Sequence, residues 1–181
     1  MKILVTPRSF KNSVNDEARE KLERFAEVKA VRPEKPFTED ELIALLDGCD
    51  GYVAGLDNVT AKVIENCPQL KVISRWGVGY DKVDTAAASK AGITVTYTPG
   101  VMAVSVAELA LGLMLDCARR ITVQDGQVRG GAWAPINGME LFGKTVGIIG
   151  YGAIGKQLGR LTNGIGMTTY AYDPFMNAAY A

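Results

Sequence analysis

Glycines at 150, 152 and 155 follow directly on the apolar run Val146-Gly147-Ile148-Ile149, a spacing suited to holding a phosphate. Gly150 permits a tight turn after a strand, Gly152 lets the backbone approach a pyrophosphate, and Gly155 allows a helix to pack closely on that strand. A helix starting at Ala153 would present free N–H groups and its positive dipole end to the anion. Eighteen residues past Gly155, the run Thr168-Thr169-Tyr170-Ala171-Tyr172 ends in Asp173. A carboxylate there can accept hydrogen bonds from a ribose diol and repels a 2′-phosphate, which favours NAD over NADP. A purely structural Gly-rich turn in an α/β protein is the alternative reading of the same glycines.

A second stretch, Arg75-Trp76-Gly77-Val78-Gly79, closes another apolar run. A strand end followed by two glycines can form a nest of N–H groups that binds an anion at the carboxyl edge of a sheet. An ordinary βα turn would look the same.

The chain contains no histidine. This excludes a Ser-His or Cys-His nucleophilic pair, removes the commonest zinc ligand and leaves no imidazole as general acid or base. Cys49, Cys67 and Cys117 are odd in number and widely spaced, which suits reduced thiols buried in a core rather than a disulfide framework or a metal site. Twenty basic residues balance twenty acidic ones with no basic block, so neither nucleic acid nor an anionic membrane is an expected partner. The first residues, MKILVTPRSF, are too short in apolar content for a signal peptide, and Val101 to Leu115 falls short of a bilayer span of about 20 residues. A cytoplasmic location is expected.

Short Val- and Ile-rich runs alternate with helical patterns, the mark of βαβ units and a parallel sheet. The runs are Ile3 to Val5, Val28 to Val31, Tyr52 to Ala54, Leu70 to Ser74 and Ile93 to Val95, then Thr145 to Ile149 and Met167 to Tyr172. Thr38 and Glu41 fit a capping box ahead of Leu42, Leu45 and Leu46; Asp84 can cap a short helix that Gly92 ends. Thr98-Pro99-Gly100 marks a domain boundary at about residue 100. A long helix is expected from Val101 to Arg120, an arm with little regular structure over 121–142, and a helix over 153–162.

In combination, LKVISRWGVGYDKVD (70–84), AGITVTYTPG (91–100), SVAELALGLML (105–115), ELFGKTVGIIGYGAIG (140–155) and YAYDP (170–174) resemble the D-isomer-specific 2-hydroxyacid dehydrogenases, and among them the D-3-phosphoglycerate dehydrogenase branch. The resemblance runs over all 181 residues. It implies an α/β fold: a flavodoxin-like parallel-sheet substrate domain over 1–100, followed by the first βαβ unit of a Rossmann NAD-binding domain over 101–181. It implies that Arg75, Gly77, Val78 and Gly79 form the substrate-carboxylate loop. NAD would be held by Val104, Gly150, Gly152, Ala153, Ile154, Gly155 and Asp173, with Val104 on the nicotinamide side, although an apolar residue near a helix start also suits a core.

The resemblance further implies hydride transfer between a 2-hydroxy acid and NAD, with an Arg, a Glu and a His that lie beyond the second Rossmann strand. No catalytic residue and no metal ligand is therefore assigned, and the polypeptide alone is expected not to turn over substrate. Arg8 and Lys11 could favour a phosphate-bearing substrate or simply be solvated, and Ala54 stands where that branch would place an Arg; the small-molecule 2-hydroxy or 2-keto acid stays open. Two function classes remain: a piece of a dehydrogenase, or a non-catalytic binding module built on the flavodoxin-like lobe. In either, Ile148, Tyr170 and the apolar face of the 153–162 helix are expected to lack a covering layer, which predicts a homodimer or larger.

Overall fold

Five strands of three or four residues build the first sheet: β1 (Lys2–Val5), β2 (Glu27–Ala30), β3 (Gly51–Ala54), β4 (Val72–Arg75) and β5 (Thr94–Thr96). All pair in parallel, in the order β2-β1-β3-β4-β5. Parallel pairing obliges the chain to cross back between strands. The crossovers contain α1 (Asp16–Glu23), α2 (Glu39–Leu46), α3 (Ala61–Glu65) and α4 (Thr85–Lys90), with a single 3-10 turn at Arg8–Lys11. The computed structural model describes residues 1–11, 16–32 and 34–175, apart from the side chains of Lys11 and Asp16. Residues 176–181 lie outside the described residues.

Alternation along each strand sorts the side chains onto two faces. Leu4, Tyr52, Ala54 and Ile73 point to one, where they join Leu42 and Leu46 of α2, Val63 and Ile64 of α3 and Ala88 of α4. Ile3, Val5 and Val53 point to the other, against Phe10, Leu22 and Trp76. Thr38 and Glu41 close the capping box at the start of α2, and the Asp84 carboxylate accepts the Ala87 N–H at 2.9 Å. Cys49 and Cys67 are buried, and burial pushes both thiols up from their ordinary values. Cys117, expected in the core as well, is exposed near the end of a helix that fully buries only Ala103 and Ala107.

The chain divides into two units, Met1–Pro99 and Gly100–Ala181. The second begins with α5 (Ala103–Arg119) and α6 (Ile121–Arg129). The arm expected over 121–142 is thus helical over its first nine residues. The break falls at Arg120, which adopts φ 55° and ψ 41°, and the Asp116 carboxylate bridges it by accepting the N–H and hydroxyl of Thr122, each at 2.7 Å. These bonds hold the Asp116 carboxyl below the usual carboxylate range. After an irregular stretch come β6 (Thr145–Ile149), α7 (Ala153–Gly164) and β7 (Thr168–Tyr172), with β6 and β7 parallel and in register from Thr145 opposite Thr168 to Ile149 opposite Tyr172.

The exposed surface of this unit matches the sequence expectation at Tyr170 and differs from it at Ile148 and α7. Ile148 is only 7% exposed, beneath Gly155, and α7 is covered because it packs along α5. The opposite face of the two-stranded sheet is the bare one, with Ile149 90% and Tyr170 68% exposed and Tyr172 beside them. Further apolar surface lies along Leu109 and Leu113 of α5 and Ile121 and Val128 of α6.

One buried polar cluster fixes the carboxyl edge of the first sheet. Asp57, 2% exposed, accepts from Thr6 Oγ1 at 2.6 Å and Tyr52 Oη at 2.7 Å through Oδ2, and from the Phe37 N–H at 3.0 Å through Oδ1. Thr6 Oγ1 in turn accepts the Gly55 N–H at 3.0 Å. Burial pushes the Tyr52 phenol up, so it remains a donor. Replacing Asp57 by Ala would remove the shared acceptor of three donors, of which Thr6 and Tyr52 can still bond each other at 3.0 Å, and an unsatisfied buried donor costs about 1–3 kcal/mol. Asp57→Ala is therefore expected to lower stability by about 3 kcal/mol, read as a shift in the urea unfolding midpoint.

Candidate functional site

In the second unit the glycine turn has the geometry that its spacing implies. Gly150 takes φ +93°, reserved in practice for glycine, and its N–H donates to Tyr172 O at 2.8 Å, tying the turn to the end of β7. A Cβ on Gly155 would sit 2.2 Å from Gly150 O, so only glycine lets α7 start this close to β6. A Cβ on Gly152 would meet nothing within 4 Å. The space over Gly152 is thus open, and no side chain caps the first turn of α7. The backbone N–H groups of Ala153 and Ile154 belong to that uncapped turn, where helix N–H groups lack intrahelical partners.

Asp173 stands at the mouth of this turn. Its Oδ2 accepts the Tyr151 N–H at 2.7 Å and its Oδ1 accepts the Phe175 N–H at 2.8 Å. Each carboxylate oxygen retains a lone pair, so the group is oriented by the backbone without being used up. An open glycine surface, an uncapped helix start and an acid beside them fit a dinucleotide. Val104 is 44% exposed in the first turn of α5, so its side chain is not part of the core.

In the first unit Arg75, Gly77, Val78 and Gly79 divide their roles. The Arg75 guanidinium donates to Trp76 O and, at 3.4 Å, to Ala54 O, and it lies against Gly77, where a Cβ would come 3.1 Å from Nη1. Gly77, at φ +142°, donates its N–H to Arg75 O at 2.9 Å. Its carbonyl accepts the Thr98 N–H at 3.1 Å and the Thr98 hydroxyl at 3.0 Å. The N–H groups of Val78 and Gly79 make no hydrogen bond among the described residues. Arg75 and Gly77 therefore shape the loop, and the amides of Val78 and Gly79 are those available to an anion.

Arg8 lines a cavity at the carboxyl ends of β1, β3 and β4, whereas the Lys11 side chain lies outside the described residues. Ala54 is buried in the core. Sequence reasoning missed the support beneath these loops: the Thr6, Tyr52 and Asp57 cluster, and Trp76, whose indole N–H reaches Ser9 Oγ at 3.1 Å and whose ring meets Phe10 edge to face at 5.9 Å. Polar residues just beyond two apolar strands were the available signal. Among the described residues no cluster of three metal-ligating side chains occurs, and no helix is long and apolar enough to cross a membrane.

Residues 5–180 match the family described as "D-isomer specific 2-hydroxyacid dehydrogenase, catalytic domain". A hydroxypyruvate reductase of Thermotoga maritima is 43% identical over 139 residues, covering 75% of this chain and 45% of that protein. A D-3-phosphoglycerate dehydrogenase of Methanocaldococcus jannaschii is 38% identical over 179 residues, covering 97% of this chain and 33% of that one. Among solved structures, an NAD+-bound 3-phosphoglycerate dehydrogenase of Entamoeba histolytica superposes with TM-score 0.76 at 33% identity, over 99% of this chain and 56% of that one. The chain thus spans about half the length, or less, of these proteins.

The glycine geometry separates packing from ligand access. Gly155→Ala is expected to cost at least about 3 kcal/mol, because backbone must move. Gly152→Ala is expected to cost only about 0.5 kcal/mol, since its Cβ enters open space. Urea unfolding followed by far-UV circular dichroism would measure both, and equal losses would contradict this division.

Proposed function

The chain belongs to the D-isomer specific 2-hydroxyacid dehydrogenase family, and on that footing we infer that it forms the substrate-carboxylate site and the first half of the cofactor site of an NAD-dependent oxidoreductase acting on a D-2-hydroxy acid and its 2-keto acid. The observation that carries this reading is the Asp173 carboxylate held 2.7 Å from the Tyr151 N–H, inside the open glycine turn. NAD supplies the hydride acceptor when bound. Ala153 and Ile154 direct N–H groups at the pyrophosphate, Gly152 leaves room for it, and Asp173 accepts from the adenosine ribose diol while repelling a 2′-phosphate. In the first unit the amides of Val78 and Gly79 hold the substrate carboxylate.

The 181 residues include no histidine. No imidazole of this chain can move the substrate hydroxyl proton, and loss of a general acid or base alone costs about 10²- to 10⁴-fold in rate. The polypeptide on its own is accordingly inactive, and the residues that polarise the carbonyl and transfer the proton come from outside it. Its small-molecule substrate class agrees with relatives named for hydroxypyruvate, glyoxylate and 3-phosphoglycerate. The apolar surface along α5 and α6 supports self-association as a homodimer or larger, since monomers rarely expose contiguous apolar patches of this kind.

Ligand-detected NMR with the full chain is expected to show adenosine protons of NAD in contact with protein, a signal that Gly152→Ala removes. Asp173→Ser is expected to shift the NAD-over-NADP preference by roughly tenfold towards NADP. An unchanged preference would overturn the ribose assignment. In size-exclusion chromatography at micromolar concentration the chain is expected to elute as a dimer or larger, and a clean monomer would refute self-association.

A further inference from the structure

The first sheet ends in β2 on one side and β5 on the other, and the two edges differ in charge. A strand edge presents unpaired N–H and C=O groups, and charged side chains are a common means of blunting it. β2 carries Glu27, 3.9 Å from Lys2, and Lys29, whose Nζ donates to Leu45 O at 2.8 Å. The β5 edge has no such guard. Residues 91–98, AGITVTYT, contain no charged side chain and are rich in β-branched residues, and Thr94, Thr96 and Tyr97 are exposed.

The register with β4 fixes which groups of this edge are free. Thr94 lies opposite Val72 and Thr96 opposite Ser74, and the Thr94 N–H donates to Lys71 O at 3.0 Å. Successive residues of a strand turn their backbone groups to opposite sides, so the N–H and C=O of Val95 point away from β4 to the open edge. The Tyr97 N–H, next in the same phase, makes no hydrogen bond among the described residues. Side chains alternate as well, which puts Ile93, Val95 and Tyr97 on one face. There they line a cavity of about 410 Å³ with Thr85 and Ser89 of α4 and with Tyr80, whose ring meets that of Tyr97 at 4.8 Å.

The residues around Val95 are matched to a second copy of themselves. When two β5 strands pair antiparallel about a twofold axis at Val95, each Val95 exchanges both backbone hydrogen bonds with the other. Thr94 of each copy then stands opposite Thr96 of the other, and Ile93 of each opposite the other copy's Tyr97. Thr–Thr and aromatic–β-branched pairs are among the cross-strand pairs that stabilise antiparallel strands. The same register carries each Tyr97 ring to the other copy's Ile93, at the wall of the cavity. With no charged side chain in the segment, the symmetric pairing sets no like charges opposite one another within it.

We propose that the β5 edge is a self-association surface, on which a second copy of this chain pairs antiparallel about Val95 and joins two five-stranded sheets into one continuous sheet. The contact is isologous, the same patch meeting itself across a dyad. It lies on the first unit and is separate from the apolar surface along α5 and α6. A strand of three residues makes few hydrogen bonds, so the pairing is weak, with a dissociation constant on the order of 100 µM.

Sedimentation equilibrium of the full chain carrying L109E/L113E tests this, because these substitutions charge the exposed face of α5 and leave β5 untouched. This variant is expected to dimerise at concentrations of roughly 300 µM. Adding T94K/T96K sets like charges opposite one another across the axis and is expected to weaken the dimer about tenfold or more. Adding T94K/T96E instead sets opposite charges there and is expected to restore the affinity; circular dichroism verifies that each variant folds. In the unsubstituted chain, hydrogen exchange of the Val95 amide is expected to slow severalfold as concentration rises through the dissociation constant. The Thr94 amide, already bonded to Lys71 O, is expected to stay constant. A monomeric L109E/L113E variant, equal affinities for the two charge variants, or a Val95 amide indifferent to concentration overturns the proposal.

Discussion

Parallel strand pairing is the constraint on which the rest of this structure depends. Each parallel step forces a crossover, so successive strands of the first sheet point the same way and the residues after them gather along one edge. The segments after β1, β3 and β4 carry Arg8, Asp57 and Arg75 to a common cavity, although 67 residue numbers separate the first and last. In the second unit, β6 and β7 run side by side, and this places Asp173 against Tyr151 across 22 residues of sequence. The candidate site residues sit at strand ends because that is where parallel topology delivers them.

Placement alone would leave these loops soft, and three devices stiffen them. The Asp57 carboxylate gathers donors from Thr6 just past β1, from Tyr52 of β3 and from Phe37 before α2, so three segments share one buried acceptor group. Buried networks of this kind are costly when incomplete and rigid when satisfied; among the described residues no buried side-chain polar atom lacks a partner. The Arg75 guanidinium acts similarly beneath Gly77, using neutral carbonyls to hold a loop whose next two amides stay available. In the second unit the stiffening is steric, since Gly155 admits the Gly150 carbonyl where any side chain would collide.

Much of the fold is legible in the sequence. Strand runs, the Thr38 capping box, the Asp84 cap and the glycine turn depend on residues close together in the chain, and local physics settles them. The miss at Ile148 and α7 shows where this stops, because Ile148 lies beneath Gly155 of α7, and α7 in turn is covered by α5, which precedes β6 by a whole arm. The break that creates α6 has no Gly or Pro to announce it; a non-glycine residue, Arg120, takes the left-handed conformation while Asp116 and Thr122 bond across it. Cys117 reads as a core thiol by type but falls on a helix with few fully buried positions.

By itself, the amino-acid order determined that the protein is α/β, that a glycine turn occupies 150–155, that an acid follows β7, and that the 181 residues hold no imidazole. These are properties of residue type and short spacing. Tertiary structure decided which amides of the Arg75–Gly79 loop remain available, that Arg8, Lys35 and Arg75 share a cavity, and that Asp57 is buried rather than facing solvent. Those outcomes depend on strand order and burial, which bring together groups that pattern along the chain does not connect.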